Sequence, residues 1–360
     1  MKILIACGGT GGHIFPAISL AEELKKQGHD VLFTVTRRKL DEQIEKRNFR
    51  CIPLDVTAIS LKPLKKFFSS LLKLIKTTLF TFVVLLREKP DVVVGFGGYV
   101  SGPVALNAYL LRIPTIIHEQ NVQFGKANAL LSKFVDTIAI SFQESKKYIN
   151  SRRVIHTGCP LREELVRIDR EQAHAFFGFE KKRFTIMVMG GSLGSRRINE
   201  TVIDALVDNK HKAQLQVIHI AGENDYEFVQ QSYKKSGINA VTFGFFDKIG
   251  YAYSAADLLI ARAGGSTISE IVAFKLPTII IPYPFAGAHQ MLNARFLSDK
   301  GAAVLIEQRN LSSELLGERI ASFISDAGRR KDMEKELSTL SPPNATRSLA
   351  NLVLKAGVDD

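Results

Sequence analysis

Tryptophan is absent from this 360-residue chain, and cysteine occurs only three times. Cys7, Cys51 and Cys159 are too few for a disulfide scaffold and lack metal-ligand spacing, which favours a reducing compartment. Apolar residues make up 46% of the chain and charged residues 23%, as in a soluble globular protein. Because strand-like residues begin at Lys2, we expect no signal peptide. The length predicts two domains.

Acidic residues are scarce in the first half of the chain only. Residues 1–160 hold 23 Lys/Arg and 12 Asp/Glu, whereas residues 161–360 hold 25 and 24. The excess of positive charge, +11 against +1, predicts an anionic partner for the first half, either a membrane or a nucleic acid. Since the chain lacks the aromatic signature of RNA-binding modules, we expect a membrane and no nucleic acid.

A glycine-rich loop follows the first predicted strand. Lys2–Ala6 reads as a buried strand, 7–13 as a loop, Pro16–Gln27 as a helix and Val31–Val35 as a second strand. This βαβ order predicts a parallel sheet. The loop is not a dinucleotide fingerprint, because Ile14 stands where a glycine is needed and no acidic residue ends the second strand. A nicotinamide-dependent enzyme is therefore a poor fit.

Three predicted strands of the first half end in glycine-rich or polar residues. The segments are 8–13, 97–102, which precedes a helix predicted to begin at Pro103, and 118–121, which follows strand 115–117. Ligands of open α/β sheets bind beyond the carboxyl ends of the strands, so we expect the three segments at one rim. His13 is then a candidate base or phosphate contact, or else a solvent-facing neighbour of a helix cap.

The segment 61–89 combines apolar residues at helical spacing with lysines. Its uncharged part, 77–86, is shorter than the ~20 residues that span a bilayer. The pattern predicts a basic amphipathic helix on a membrane surface. The alternative is a helix that only covers the sheet.

The second half repeats the alternation of strands and helices. A glycine turn at 190–195 follows the strand in 183–190, and a second turn at Gly264-Gly265 precedes a helix that Ser266 or Thr267 could N-cap. Such helix N-termini suit phosphate. Glu270 is either a capping-box carboxylate or an acceptor for sugar hydroxyls. Ser192 is a candidate nucleophile, but phosphate contact fits its surroundings better.

Seven stretches occur together in one order: GGTGGHIFPA (8–17), GFGGYVSGP (95–103), HEQN (118–121), GCPLR (158–162), GGSLGSRRIN (190–199), RAGGSTISE (262–270) and HQMLNA (289–294). In these the chain resembles the MurG family of UDP-N-acetylglucosamine transferases. The resemblance implies the α/β GT-B fold, in which two Rossmann-like domains with parallel sheets face each other across a cleft. It places an acceptor- and membrane-associating domain at 1–160 and a donor domain at 161–341. A C-terminal helix, about 342–360, is expected to pack back on the first domain.

The resemblance also assigns roles to individual residues. For a displacement that needs a base, His13 is the candidate base or the residue that positions it, and Glu119 is the alternative base. The acceptor-binding residues that the resemblance implies are Gly97, Gly98, Tyr99, Ser101 and Gly102. The donor-binding residues that it implies are Thr10, Gly11, Gly12, Asn121, Arg162, Ser192, Phe246, Gly265, Ser266, Thr267, Ile268, Ser269, Glu270, Gln290 and Asn293. Leu193 and Cys159 stand where the family usually has Gln and Asn, which affects donor contacts near the phosphates.

By resemblance, the reaction moves GlcNAc from UDP-GlcNAc to the 4-hydroxyl of MurNAc in undecaprenyl-pyrophosphoryl-MurNAc-pentapeptide, with inversion, no metal and no cofactor. The family works peripherally on the cytoplasmic face of the cell inner membrane, with other proteins of cell-wall synthesis, and serves cell shape and division. Two alternatives stay open. One is a non-catalytic nucleotide-sugar or polyprenyl-phosphate binding module. The other is a sugar-nucleotide epimerase, for which 8–17 lacks acidic residues.

Overall fold

The computed structural model describes residues 1–36, 41–56, 64–151, 153–191, 193–207, 209–285, 289–340 and 344–358, without the side chains of 64–68. The chain forms two compact units. Unit 1 comprises Met1–Arg162 together with Pro342–Asp360, and unit 2 comprises Glu163–Ser341.

Unit 1 is built on a parallel sheet of seven strands. In chain order the strands are β1 Lys2–Ala6, β2 Asp30–Val35, β3 Arg50–Pro53, β4 Val92–Gly95, β5 Thr115–Glu119, β6 Thr137–Ile140 and β7 Val154–His156. They are arranged β3-β2-β1-β4-β5-β6-β7. Helices cover both faces, so the central strands are apolar on both sides, as in β1, where Ile3, Leu4 and Ile5 are all fully buried.

The helices of unit 1 are α1 Gly11–Lys26, α2 Glu42–Glu45, α3 Leu64–Glu88, α4 Gly98–Leu110, α5 Lys126–Leu131 and the C-terminal α14 Ala345–Ala356. Leu349 and Val353 of α14 lie in the same buried cluster as Ile14 and Ile18 of α1. The last helix of the chain therefore completes the core of unit 1.

Unit 2 has a parallel sheet of six strands: β8 Phe184–Met189, β9 Leu215–Ile220, β10 Ala240–Phe243, β11 Leu258–Ala261, β12 Thr278–Ile280 and β13 Val304–Leu305. Their arrangement is β10-β9-β8-β11-β12-β13. Its helices are α6 Arg170–Phe177, α7 Arg196–Val207, α8 Tyr226–Ser236, α9 Ile249–Ala255, α10 Gly265–Phe274, α11 His289–Ser298, α12 Ser313–Ser325 and α13 Ala327–Thr339.

Both sheets change the direction of strand order beside their first strand. In unit 1 the chain moves outward from β1 to β3 and then returns to place β4 on the other side of β1. Unit 2 does the same with β8 and β11. The predicted pair of Rossmann-like parallel sheets is confirmed, and each unit has a switch point where ligands bind in this class of fold.

Two helix starts differ from those predicted. We expected helices to begin at Pro16 and Pro103, since proline favours the first helical position. Instead α1 begins at Gly11 and α4 at Gly98, and proline is the sixth residue of each. In α1 the N–H groups of His13 and Ile14 already donate to the Thr10 carbonyl, both at 3.1 Å. Part of each predicted glycine loop is therefore helical, residues 11–13 in the first and 98–102 in the second.

Helix α3 buries four polar residues on the side that faces the rest of unit 1. Ser70, Thr77, Thr81 and Glu88 are at most 8% exposed, and they are joined on that side by Val84 and Leu85. The exposed side carries a stripe of large apolar side chains: Leu72, Ile75, Leu79, Phe80, Phe82, Val83 and Leu86. The usual arrangement of a surface helix is the reverse.

Hydrogen bonds hold the polar side of α3 in place. The Asn107 side-chain amide on α4 donates to the Thr78 carbonyl and to the Thr81 hydroxyl at 2.6 and 2.7 Å. At the C-terminal end, Glu88 binds Lys2 and Arg50, which lowers the pKa of its carboxyl to about 2. The helix is thus attached to unit 1 along its length.

Candidate active site

The switch point of unit 1 brings two glycine turns together. The turn after β1 contains Gly8, and the turn after β4 contains Gly98, whose φ is +72°. A Cβ at Gly98 would lie 3.3 Å from the Gly8 carbonyl oxygen and 3.7 Å from His13 Nδ1. Only glycine fits this conformation and this approach without strain. The predicted convergence of these two strand ends is confirmed.

His13 lies in the first turn of α1 and is partly exposed. Its Nδ1 is 3.3 Å from the Gly8 carbonyl oxygen and 3.3 Å from the Thr10 hydroxyl. A proton on Nδ1 can be donated to the Gly8 carbonyl, which leaves Nε2 as the acceptor. Desolvation lowers the pKa of His13, although the charge of Glu119 and the Gly8 hydrogen bond oppose the shift. The imidazole is therefore mainly neutral at pH 7, as a general base requires.

Glu119 is the last residue of β5, not a loop residue as predicted, and is 1% exposed. One carboxylate oxygen accepts from the backbone and side-chain N–H groups of Asn121 at 2.9 and 3.0 Å. The other accepts from the backbone of Gly125 and the side chain of Asn128 at 3.0 and 2.9 Å. Four donors occupy the four lone-pair positions of a carboxylate. This geometry favours a role in shaping the segment after β5 and makes His13 the better candidate base.

Ser101, predicted to bind the acceptor, has a structural role in unit 1. It is fully buried, and its hydroxyl lies 2.9 Å from the carbonyl oxygens of both Ala6 and Gly97. It ties the end of β1 to the turn after β4. Tyr99, Gly98 and Gly102 of the same helix start are partly exposed. Arg162 places its guanidinium 4.2 Å from the ring centre of Phe15 on α1.

The switch point of unit 2 is formed by the N-terminus of α10. The predicted N-cap at Ser266 or Thr267 is wrong, because Gly264 occupies the cap position without a side-chain cap and its carbonyl accepts from Ile268 at 2.9 Å. Gly265, Ser266 and Thr267 are thus the first turn. N–H groups of a first helical turn have no partner within the helix and carry partial positive charge, which suits a phosphate.

Glu270 is not a capping-box residue, since it is the sixth residue of α10 and not the third. It is 6% exposed. The Tyr253 hydroxyl on α9 donates to its Oε2 at 2.8 Å. With the capping explanation removed, the hypothesis that Glu270 accepts from sugar hydroxyls is left, and it stays a prediction.

Arg262, directly after β11, connects several chain segments of unit 2. Its guanidinium donates to the carbonyls of Ile281 and Pro282, to the Ser195 hydroxyl at 2.7 Å and to the Gln308 side chain at 2.6 Å. All four acceptors are neutral. Burial lowers the pKa of Arg262 to about 10, so its charge is retained at pH 7. The result is a buried positive charge beside the glycine turns of unit 2.

The turn that holds Ser195 needs glycine. Gly194 has φ +76°, and a Cβ there would overlap the Ala221 carbonyl oxygen at the end of β9. Ser192, predicted to contact phosphate, lies outside the described residues. Leu193 beside it is 83% exposed.

Gln290 and Asn293 on α11 also contact the turn after β11. Gln290 Oε1 accepts from the backbone of Ala263 and Tyr283 at 3.2 and 2.9 Å. Asn293 is fully buried and donates to the Ala263 carbonyl at 2.9 Å. Both side chains hold the backbone of Ala263, which leads into α10.

Both units match domains of known protein families. Residues 3–140 match the glycosyltransferase family 28 N-terminal domain, and residues 185–349 match the glycosyltransferase family 28 C-terminal domain. The UDP-N-acetylglucosamine–N-acetylmuramyl-(pentapeptide) pyrophosphoryl-undecaprenol N-acetylglucosamine transferase of Halothermothrix orenii is 38% identical over 364 residues, with 98% of each chain covered. The Myxococcus xanthus protein of the same name is 38% identical, covering 98% of this chain and 92% of its own.

Among solved structures, Acinetobacter baumannii MurG is similar with a TM-score of 0.77 and 29% identity, covering 98% of this chain and 99% of its own. The chain belongs to the MurG family of glycosyltransferases. Its GT-B fold is that of a family of UDP-sugar transferases.

The donor-binding positions that the resemblance implies fall in both units. Thr10, Gly11, Gly12, Asn121 and Arg162 belong to unit 1. The predicted contacts on α10, on α11 and at Phe246 belong to unit 2. Phe246 lies in an aromatic cluster, stacked on Phe243 at 4.3 Å between ring centres. Ser269 is partly exposed, whereas the Ile268 side chain is fully buried, so Ile268 can offer a ligand only its backbone.

Sequence reasoning missed Tyr253 and Asn128, which donate hydrogen bonds to the carboxylates of Glu270 and Glu119. Each is an ordinary residue in a helix, with no motif around it. Their partners, Glu270 and Glu119, are 17 and 9 positions away, and only the packing of separate elements brings each pair together.

Proposed function

We propose that this MurG-family chain transfers GlcNAc from UDP-GlcNAc to the 4-hydroxyl of MurNAc in undecaprenyl-pyrophosphoryl-MurNAc-pentapeptide, a step of peptidoglycan synthesis. The observation that carries the proposal is the 38% identity to a transferase so named across 98% of both chains. A similarity of that extent includes the switch points of both units.

The donor is proposed to bind unit 2. The diphosphate fits the first turn of α10, where N–H groups, the helix dipole and the nearby Arg262 charge all favour an anion. Glu270 would accept from the ribose hydroxyls. The same positive groups stabilise the charge that grows on UDP as it departs.

The acceptor is proposed to bind unit 1, at the paired turns that contain Gly8 and Gly98. The 4-hydroxyl oxygen attacks C1 of GlcNAc as the bond from C1 to the phosphate oxygen breaks, and UDP leaves with the electron pair. His13 Nε2 accepts the hydroxyl proton, because Nδ1 faces the Gly8 carbonyl. One such displacement inverts the anomeric centre. MurG-family enzymes perform this reaction without a metal ion.

A UDP-release assay with a soluble lipid I analogue tests this proposal. We expect release only when the analogue is present, and a β-1,4-linked disaccharide as the product. Release without the analogue, with conversion of the sugar nucleotide, would instead indicate an epimerase. Binding of UDP-GlcNAc with no release under either condition would indicate a binding module.

We further propose that α3 docks unit 1 on the cytoplasmic face of the membrane as a peripheral protein. Among the described residues, the helical segment Ser69–Glu88 is long enough and apolar enough to cross a bilayer, judged by length and composition alone. This differs from our prediction that its uncharged part is too short to span one. Its buried polar side, bonded to α4, argues for surface contact. Tyr109 and Leu110 of α4, which packs against α3, and Leu130 of α5 are also exposed apolar residues.

Positive charge supports the same docking surface. Lys73, Lys76, Lys89 and Arg112 lie on or next to α3 and α4, and Lys/Arg residues near a membrane are each worth ~1 kcal/mol toward anionic lipid. Phe67, Phe68, Lys65 and Lys66, which we also expected to take part, have no described side chains. Roles in cell shape and division, and contacts with other cell-wall synthesis proteins, stay predictions.

A further inference from the structure

Tyr253 and Glu270 form a buried pair whose two members lie on different helices of unit 2. Tyr253 is 2% exposed and Glu270 is 6% exposed. The distance from the Tyr253 hydroxyl to Glu270 Oε2 is 2.8 Å. Because an ionised carboxylate can only accept, the phenol is the donor. The hydrogen bond to a charged acceptor is of the stronger kind.

The Tyr253 ring is held where its hydroxyl must meet Glu270. It stacks on Phe274 with 4.8 Å between ring centres and 23° between ring planes. Phe274 and Glu270 are four residues apart on α10, so they lie on the same face of that helix. The ring therefore lies along α10, with its apolar part on Phe274 and its hydroxyl on the carboxylate.

We propose that Tyr253 is a positioning residue for donor recognition: it fixes the Glu270 carboxylate in the rotamer that accepts hydrogen bonds from the ribose diol of a uridine nucleotide. The inference rests on the proposed role of Glu270 in donor binding. A carboxylate that is already oriented loses less rotamer freedom when the ribose binds.

Calorimetric titration with UDP and with 2′-deoxy-UDP tests the inference without needing the acceptor. In Tyr253→Phe, we expect UDP affinity to fall about tenfold, as for the loss of one hydrogen bond to a charged group. The affinity for 2′-deoxy-UDP should change less than about twofold, because this nucleotide lacks the 2′-hydroxyl that would bond to the Glu270 carboxylate. A purely structural defect would weaken both nucleotides equally.

The matched control is Tyr233→Phe. Tyr233 is also a 2% exposed tyrosine of unit 2, and its hydroxyl contacts a buried side chain, His219 Nδ1, at 2.8 Å. This variant should lose similar stability and keep the wild-type ratio of UDP to 2′-deoxy-UDP affinity. If Tyr253→Phe is too unstable to purify, Phe274→Leu removes the ring stack and should also reduce that ratio.

Two different results would overturn the inference. The first is a Tyr253→Phe protein that loses affinity equally for UDP and 2′-deoxy-UDP, or that binds UDP like wild type. If Glu270→Ala still abolishes the preference for UDP over 2′-deoxy-UDP, this result rejects the positioning role alone. A Glu270→Ala protein that kept the wild-type preference would reject the ribose role of Glu270 itself, and the inference would fall with it. Neither result depends on whether transfer to the lipid acceptor occurs.

Discussion

The two units place different chemistry at the switch points of their sheets. In unit 1, the turn after β1 leads into a helix whose first turn holds a partly exposed histidine with a lowered pKa. In unit 2, the turn after β11 leads into a helix whose first turn holds Gly265, Ser266 and Thr267, with a buried arginine before it and a buried glutamate after it. One site can accept a proton, and the other can hold an anion and a diol.

This difference shows how a repeated architecture is divided between two tasks. A parallel sheet supplies each unit with a helix N-terminus at its switch point, whatever residues stand there. The residues then decide the role. A neutral imidazole suits a nucleophilic hydroxyl, whereas fixed positive charge and helix dipoles suit a departing diphosphate. We expect variants of His13 to change kcat and variants of Glu270 to change donor affinity.

His13→Ala should have the largest effect. Removal of a general base costs about 10²–10⁴ in kcat, while donor affinity should be retained because His13 is proposed to act on the acceptor hydroxyl. UDP release with the soluble acceptor analogue measures kcat, and calorimetry measures UDP binding. His156→Ala is the control, since His156 is an exposed histidine of unit 1 that contacts the Ser141 carbonyl. A loss below tenfold would move the base to the substrate or to Glu119.

Glu270→Ala should have the next largest effect, on the donor. The ribose hydroxyls would lose a charged acceptor, and hydrogen bonds of that kind are worth about 1.5–3 kcal/mol, or roughly tenfold or more in KM for UDP-GlcNAc. The change in kcat should be smaller than the change in KM. A protein with a lower melting temperature and unchanged UDP binding would show that Glu270 only supports the fold.

Helix α3 should affect membrane binding and not chemistry. Replacing Leu79 and Leu86 by Gln should weaken vesicle binding at least tenfold, because each apolar side chain contributes up to ~1.5–3 kcal/mol when it leaves water completely. Replacing Lys65, Lys66, Lys73 and Lys76 by Gln should flatten the salt dependence on anionic vesicles.

Activity on the soluble acceptor analogue should survive in both α3 variants. Val166→Gln is the control, because Val166 is a 56% exposed apolar residue of unit 2. If both α3 variants bind anionic vesicles like wild type, the docking surface is elsewhere.

The smallest expected effect is on the pH dependence. A base must be unprotonated, and desolvation holds the pKa of His13 below its usual 6.5. More than half of the imidazole is therefore neutral at pH 6.5, and kcat/KM should fall less than about twofold between pH 8 and pH 6.5. It should fall steeply only at lower pH. A midpoint above 7 in the pH profile would contradict the assignment of His13.

The sequence predicts the sheets better than it predicts the helix starts. Runs such as Ile3–Ile5 and Val92–Val94 fit buried strands of a parallel sheet, because both faces are apolar. Pro16 and Pro103 misled the prediction of helix starts, since the first-position preference of proline outweighed the glycines before it. The short strands β3, β6 and β13 carried too little pattern to be found.

Site residues could be predicted where a motif carries them, and their partners could not. The glycine turns and His13 stand in recognisable stretches. The hydrogen bonds of Glu119 with Asn128, of Glu270 with Tyr253 and of Arg262 with Gln308 join separate elements. No spacing in the sequence encodes such contacts, because they depend on how helices pack on the finished sheet. The inverted polarity of α3 was likewise visible only once its buried face was known.

The division of tasks between the units is tested most directly by combining His13→Ala with Glu270→Ala. The measurement is kcat/KM for UDP-GlcNAc, at fixed soluble acceptor analogue, in the two single variants and the double variant. If one residue takes the proton and the other holds the ribose, the two losses act independently and should multiply, with free energies that add within ~0.5 kcal/mol. A double variant no worse than His13→Ala alone would show that both residues serve one step, and would contradict the account.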